Sequence, residues 1–293
     1  MKEIVLSAGH IKIGILPELG GSLSFLTYRD QHILRPIDLS KEQADAIHSA
    51  MFFMLPYCGR IRGGSFTYWG VLRKVAKNHL GFTDPIHGDG WKAKWQIVHQ
   101  DETSLIIALD HKKDKGGFPF NYQSQITYSV SEKGLHIKID VTNPGPLPMP
   151  CGLGAHPFFL REKDVLLDFK TQVVWSNESD PIFGQPYATP ETWQFDGGKP
   201  LMNAVFDTCF GGFEENAKVT YPDKGITIHM QTNDLFHHVV LYAPKGKNFF
   251  SLEPTTCATN AFNLAAEGII GTGIRSIGPA QTMTGEIRFN IQG

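Results

Sequence analysis

An all-β fold, a large antiparallel β-sandwich with few short helices, is what this sequence predicts. Apolar and polar residues alternate with period two in several separate stretches, turn signals recur between them, and one stretch alone carries helical spacing. Ile11, Ile13 and Ile15 alternate with Lys12 and Gly14, and the pattern resumes at Leu23 and Phe25 after Pro17-Glu18-Leu19-Gly20-Gly21. This predicts an opening hairpin. Ser40 to Phe53 is the candidate helix, with Ser40 and Gln43 in capping-box spacing and a weak apolar stripe. Ile126, Tyr128 and Val130 lead into Glu132-Lys133-Gly134, beyond which Leu135, Ile137, Ile139 and Val141 share one face, a second hairpin. Ile226, Ile228 and Met230 follow the turn Pro222-Asp223-Lys224-Gly225 as a third strand signal.

The 30 glycines and 18 prolines are scattered among these strands rather than gathered in a linker, so residues 1–293 are expected to form a single domain. The pairs Gly63-Gly64, Gly116-Gly117, Gly197-Gly198 and Gly211-Gly212 read as turns, and no phosphate-cradling glycine loop is present.

Lys and Arg number 27 against 29 Asp and Glu, a formal charge of -2, which supplies no field for nucleic acid or an anionic membrane. A small molecule is the expected partner. No stretch reaches the roughly 18 unbroken apolar residues of a membrane span, and Lys2, Glu3 and His10 interrupt any secretory pattern, so a cytoplasmic chain is expected. Cys58, Cys151, Cys209 and Cys257 form no CxxC pair and read as buried or pocket-lining thiols.

Four segments set normally exposed polar residues beside Gly, Pro and aromatics, as a cleft requires. They are Pro56-Tyr57-Cys58-Gly59-Arg60-Ile61-Arg62-Gly63-Gly64, Ile86-His87-Gly88-Asp89-Gly90-Trp91, Gly154-Ala155-His156-Pro157-Phe158-Phe159 and Ser251-Leu252-Glu253-Pro254-Thr255. In this order they resemble the markers of the aldose 1-epimerase, or galactose mutarotase-like, family. The segments Leu16 to Gly21 and Phe206 to Phe210 extend the likeness over essentially the whole chain. The resemblance implies the supersandwich form of the β-fold and an isomerase that interconverts the α and β anomers of a hexose. It further implies Glu253 as the base at the anomeric hydroxyl, His156 as the acid at the ring oxygen and His87 as a donor near that oxygen. Arg60 and Asp207 would hold ring hydroxyls. Gly59 stands where better-known members carry Asn, which leaves the sugar's identity open.

The chemistry independently asks for such residues. Opening a cyclic hemiacetal removes a proton from one oxygen and delivers one to another, so two groups with opposite tasks are needed. A carboxylate with a reference pKa of about 4.3 is ionised at neutral pH, and an imidazole near about 6.5 is easily poised as donor. The reaction already proceeds in water, so positioned acid-base catalysis suffices and no cofactor or metal is expected.

Each residue also has a plainer explanation: His156 a satisfied core histidine, Arg60 and Arg62 surface ion-pair partners, Asp207 a turn residue, Trp91 and Trp95 core aromatics. Glu253 is harder to explain away, because it follows Phe249-Phe250-Ser251-Leu252 and buried carboxylates are rare without partner or function. Trp91, beside the His87 segment, is expected to stack on a sugar face. Three rival readings follow: a non-catalytic carbohydrate-binding sandwich, a metal site built from His87, Asp89, His156 and Glu253, and a hexose-6-phosphate 1-epimerase. Phosphate would call on cations such as Arg60, Arg62, Arg73, Lys74 and Lys77, yet strand alternation sends neighbours like Arg73 and Lys74 to opposite faces, which favours a neutral aldose.

Overall fold

The computed structural model describes residues 1–40, 45–113, 117–175 and 184–293. Its strands form two large antiparallel sheets and two small ribbons. The eleven-stranded sheet runs in the order Ile4–Ala8, Ile11–Leu16, Ser22–Tyr28, Met51–Met54, Gly154–Leu160, Phe249–Thr255, His238–Ala243, Phe206–Gly211, Val173–Val174 and Tyr187–Ala188, with Gln31–His32 beside Ser22–Tyr28. The nine-stranded sheet runs Lys199–Pro200, Leu166–Phe169, Asn216–Tyr221, Ile226–Thr232, Thr282–Gln292, Gly134–Thr142, Tyr122–Ser131, Ser104–His111 and Gln96–Gln100.

The three stretches of alternation become strands as their spacing predicts. Ile13 pairs with Leu26 in the opening hairpin, Ile126 with Ile139 in the second, and Ile228 lies on Ile226–Thr232. One hydrophobic cluster takes side chains from both sheets, including Ile13, Phe53, Phe159, Phe250 and Leu252 from the first and Ile126, Ile137, Ile228 and Phe289 from the second. Burial of that shared interior is the main force holding the layers together.

The sheets differ in the way that positions the site. On Tyr122–Ser131 buried residues alternate with less buried ones, the pattern of a sheet with one face toward water. Met51–Met54 and all of Phe249–Thr255 except its first residue are buried on both faces, so their sequences read as nearly unbroken apolar runs. A polar residue on these central strands is therefore conspicuous.

The helix expected from Ser40 to Phe53 is not what forms. Asp45 caps a single 3-10 turn, Ala46–His48, by accepting from the Ile47 N–H at 3.2 Å, and Met51–Met54 is a strand. Residues 41–44 lie outside the described segments. Pairing between Ser22–Tyr28 and Gly154–Leu160 outweighs a weak local helical preference at Met51–Met54. The α-helix among the described residues is instead Ala261–Ala266, and none is long and apolar enough to cross a membrane.

Candidate active site

Five neighbouring strands of the eleven-stranded sheet send every second residue to the face opposite the shared core. Cross-strand register arranges these residues in rows. Cys209 pairs with Val240, Val240 with Glu253, and His156 with Phe52. The pairing of Gly154 with Thr255 and Phe158 with Ser251, carried to the strand centre, sets His156 opposite Glu253 and completes that row. An adjacent row runs Asp207, Tyr242, Ser251, Phe158. Over them opens a cleft of about 400 Å³, within the range of small-molecule sites, whose walls include His87, Arg60, Tyr242 and Glu253.

Glu253 and His156 touch: His156 Nε2 lies 3.0 Å from Glu253 Oε1. Both are buried, 7% of His156 and 3% of Glu253 remaining exposed. The His156 ring packs against Phe52, stacked at 4.6 Å and 27°, and against Phe158, 4.4 Å away, two rings that also touch each other.

His87 comes from a loop, not a strand. Its backbone N–H donates to the Gly59 carbonyl at 2.8 Å, and its Nδ1 accepts from the Gly59 N–H at 3.2 Å. An acceptor Nδ1 leaves Nε2 as the protonated nitrogen of a neutral ring. Burial, with His156 and Arg60 adding repulsion, drives the His87 pKa well below its ordinary value. The loop is stitched by the Asn78 side chain, which donates to the Ile86 and Gly88 carbonyls, both at 2.6 Å. Gly59 has φ of +64°, and a Cβ there would lie 2.6 Å from Thr259 Oγ1. Glycine at this position is thus a local necessity.

Around the pair stand charged groups from several elements. Asp207 keeps accessible surface, yet the surrounding protein desolvates its carboxyl and raises its pKa, with Arg60 and His156 pulling the other way. Burial also raises the Tyr242 phenol, reinforced by Asp207 and Glu253. Arg35 lies between Phe158 and Phe249, 4.0 and 4.3 Å from their ring centres, and Nη2 donates to the Ile47 and Ser49 carbonyls. Burial lowers its pKa to about 10.

Of the residues expected from sequence, His156, Glu253, His87, Arg60 and Asp207 converge on this cleft. Trp91 does not. It is fully buried behind Phe52, at 5.4 Å between ring centres, and donates from Nε1 to the Gly88 carbonyl at 2.9 Å, so no ring face is open to stack on a ligand. Proximity in sequence to His87 misleads because the 3-10 turn Gly90–Lys92 directs the indole into the core. Asp89 also faces away, accepting from the Phe118 N–H at 3.0 Å and from the Tyr122 hydroxyl. Among the described residues no three His, Cys, Asp or Glu side chains are grouped to hold a metal ion. All four cysteines are buried and unbridged, with Cys58 and Cys257 on the cleft wall.

Sequence reading overlooked Arg35, Tyr242, Ser251 and Lys247. For Ser251 the signal was available: it lies two residues before Glu253 on the same strand, hence on the same face. Arg35 and Lys247 carry no such signal, because they reach the cleft from elements that only the folded chain brings alongside.

Fold and site together define a β-supersandwich protein whose larger sheet carries, on one face, a cleft where a histidine meets a buried carboxylate. The chain belongs to the aldose 1-epimerase family, whose profile matches residues 3–289. It is 23% identical over 300 residues to the uncharacterized protein YphB of Escherichia coli K12, covering 100% of this chain and 99% of that one. A galactose mutarotase-like protein from Clostridium acetobutylicum superposes with a TM-score of 0.85 at 19% identity, covering 100% and 98% of the two chains. Galactose 1-epimerase from Lactobacillus acidophilus superposes with a TM-score of 0.79 at 13% identity, covering 99% and 94%.

Proposed function

We propose that this protein is an aldose 1-epimerase, a mutarotase that interconverts the α and β anomers of a hexose. The observation that carries the reading is the buried contact between His156 and Glu253 in a cleft of hexose-binding size. The anomeric oxygen and the ring oxygen share one carbon, so a base for the first and an acid for the second must themselves be neighbours. Glu253 as carboxylate takes the proton of the anomeric hydroxyl, and His156 as imidazolium gives one to the ring oxygen. The C1–O5 bond breaks, the anomeric oxygen becomes an aldehyde, and the pair is left as a carboxylic acid beside a neutral imidazole. Rotation about C1–C2 presents the other carbonyl face, and the reverse transfers close the ring and restore the ion pair.

His87, neutral and protonated on Nε2, donates a hydrogen bond near the ring oxygen rather than a proton. Arg60 and Asp207 hold ring hydroxyls, a task suited to a donor fork and an acceptor facing one cleft. A purely sugar-binding sandwich has no need to bury a carboxylate against an imidazole, since that contact consumes desolvation energy without adding specificity.

A second reading, a hexose 6-phosphate as substrate, draws support from Arg35 and Lys247, which add two cations to Arg60 on the same walls. The other cations weighed from sequence, Arg62, Arg73, Lys74 and Lys77, are not among them.

Polarimetry on freshly dissolved α-D-glucose, α-D-galactose and α-D-glucose 6-phosphate tests both. Faster approach to equilibrium rotation with a neutral sugar supports the first reading, and acceleration of the phosphorylated sugar alone supports the second. Measurable binding with no acceleration of any of them overturns catalysis.

A further inference from the structure

Ser251 is fully buried, and its hydroxyl has two partners. Oγ donates to the Pro157 carbonyl at 2.6 Å and lies 3.0 Å from His156 Nδ1. A carbonyl only accepts, and a serine hydroxyl has one proton to give. With that proton committed to Pro157, the hydroxyl meets Nδ1 as an acceptor. Nδ1 must therefore carry a hydrogen, and the exchangeable site of the imidazole is Nε2, the atom 3.0 Å from Glu253.

We propose that Ser251 is a positioning residue that fixes His156 in its Nδ1–H tautomer, so that every proton His156 gains or gives passes through Nε2. The assignment of His156 as a transferring acid rests on the mutarotase reading; the tautomer itself does not.

Strand geometry brings the three groups together. His156 and Glu253 are directly opposed on antiparallel strands, and Ser251, two residues from Glu253, is the diagonal neighbour of His156 on the same face. One strand thus supplies the carboxylate for Nε2 and the acceptor for Nδ1. The alternative Nε2–H tautomer would require Ser251 to turn its hydroxyl to Nδ1 and give up the Pro157 carbonyl, a loss comparable to an unmade hydrogen bond. Phe52 and Phe158 pack against the ring, and Ser251 selects which nitrogen bears the hydrogen.

Long-range proton–nitrogen NMR of Glu253→Gln, whose amide can donate to Nε2 where the carboxylate 3.0 Å away can only accept, reads the tautomer preference that Ser251 imposes. The expected spectrum is that of an Nδ1–H imidazole. An Nε2–H spectrum overturns the proposal whether or not the protein is a mutarotase, and absent mutarotation by the wild-type protein alongside the expected spectrum overturns only the catalytic reading. Ser251→Ala is expected to release the tautomer preference and lower kcat by about 10–100-fold, by analogy with the loss of a partner that fixes the tautomer of a metal-ligating histidine. KM should move little, and Ser251→Thr, which keeps the hydroxyl, should restore most of the rate. Wild-type kcat in Ser251→Ala, with an imidazole spectrum unchanged when the same substitution is added to Glu253→Gln, would overturn it.

Discussion

His156 and Glu253 face each other across adjacent antiparallel strands and meet at 3.0 Å, so strand register fixes the separation of the proposed acid and base. A slip of one residue would turn one of them to the opposite face. Glu253→Gln should keep fold and sugar affinity while lowering kcat about 10²–10⁴-fold, the usual contribution of a positioned proton carrier. His156→Asn should behave alike. Progress curves from polarimetry, with calorimetric sugar binding beside them, decide this; a near-normal rate in Glu253→Gln would put the base elsewhere.

His87 should contribute a hydrogen bond and not a titrating limb. Because burial holds its pKa well below the ordinary value, the acidic limb of the pH–rate profile near neutrality belongs to other groups. His87→Gln should lower kcat/KM and leave that limb where it was. A limb that moves with this substitution would make His87 a proton carrier.

Gly59→Ala should destabilise the protein by about 1–3 kcal/mol, since φ is +64° and the added Cβ meets Thr259. Activity should fall with it, because relieving the contact with Thr259 displaces the backbone N–H that sets the His87 tautomer. Urea midpoints of the two proteins measure the effect, and coincident curves would mean the loop relaxes freely.

Stability should decline as pH falls below about 6.5, the ordinary histidine value. His238, driven down to about 4 chiefly by burial, and His87, driven well below its ordinary value by the same cause, stay neutral in the fold while the unfolded chain takes up protons. The unfolded state then binds more protons, so their contribution is complete above that pH and is lost progressively toward the folded values. Each group adds a slope of about 1.4 kcal/mol per pH unit. Urea unfolding between pH 7 and 5 should show the fall, and His238→Gln should flatten it; an unchanged slope would assign the effect elsewhere.

Trp91→Ala should cost about 3–5 kcal/mol of stability, as expected for a large buried aromatic. Trp91→Phe should fold with KM for sugar essentially unchanged. A several-fold rise in KM for that milder variant would return Trp91 to the binding surface.

The sequence by itself determined the strand signals at Ile11 to Ile15, Ile126 to Val141 and Ile226 to Met230, because period-two alternation is written in neighbouring residues and needs no partner to be read. It also marked His156, Glu253, His87, Arg60 and Asp207, because polar groups inside apolar or glycine-rich runs are costly to bury without a use. Only the tertiary structure decided that Trp91 lies behind the cleft, that Met51–Met54 is a strand, and that Ser251 meets His156 from 95 residues away. These depend on which strands pair and in what register, and that choice is made by packing two whole sheets around a common interior rather than by any local stretch.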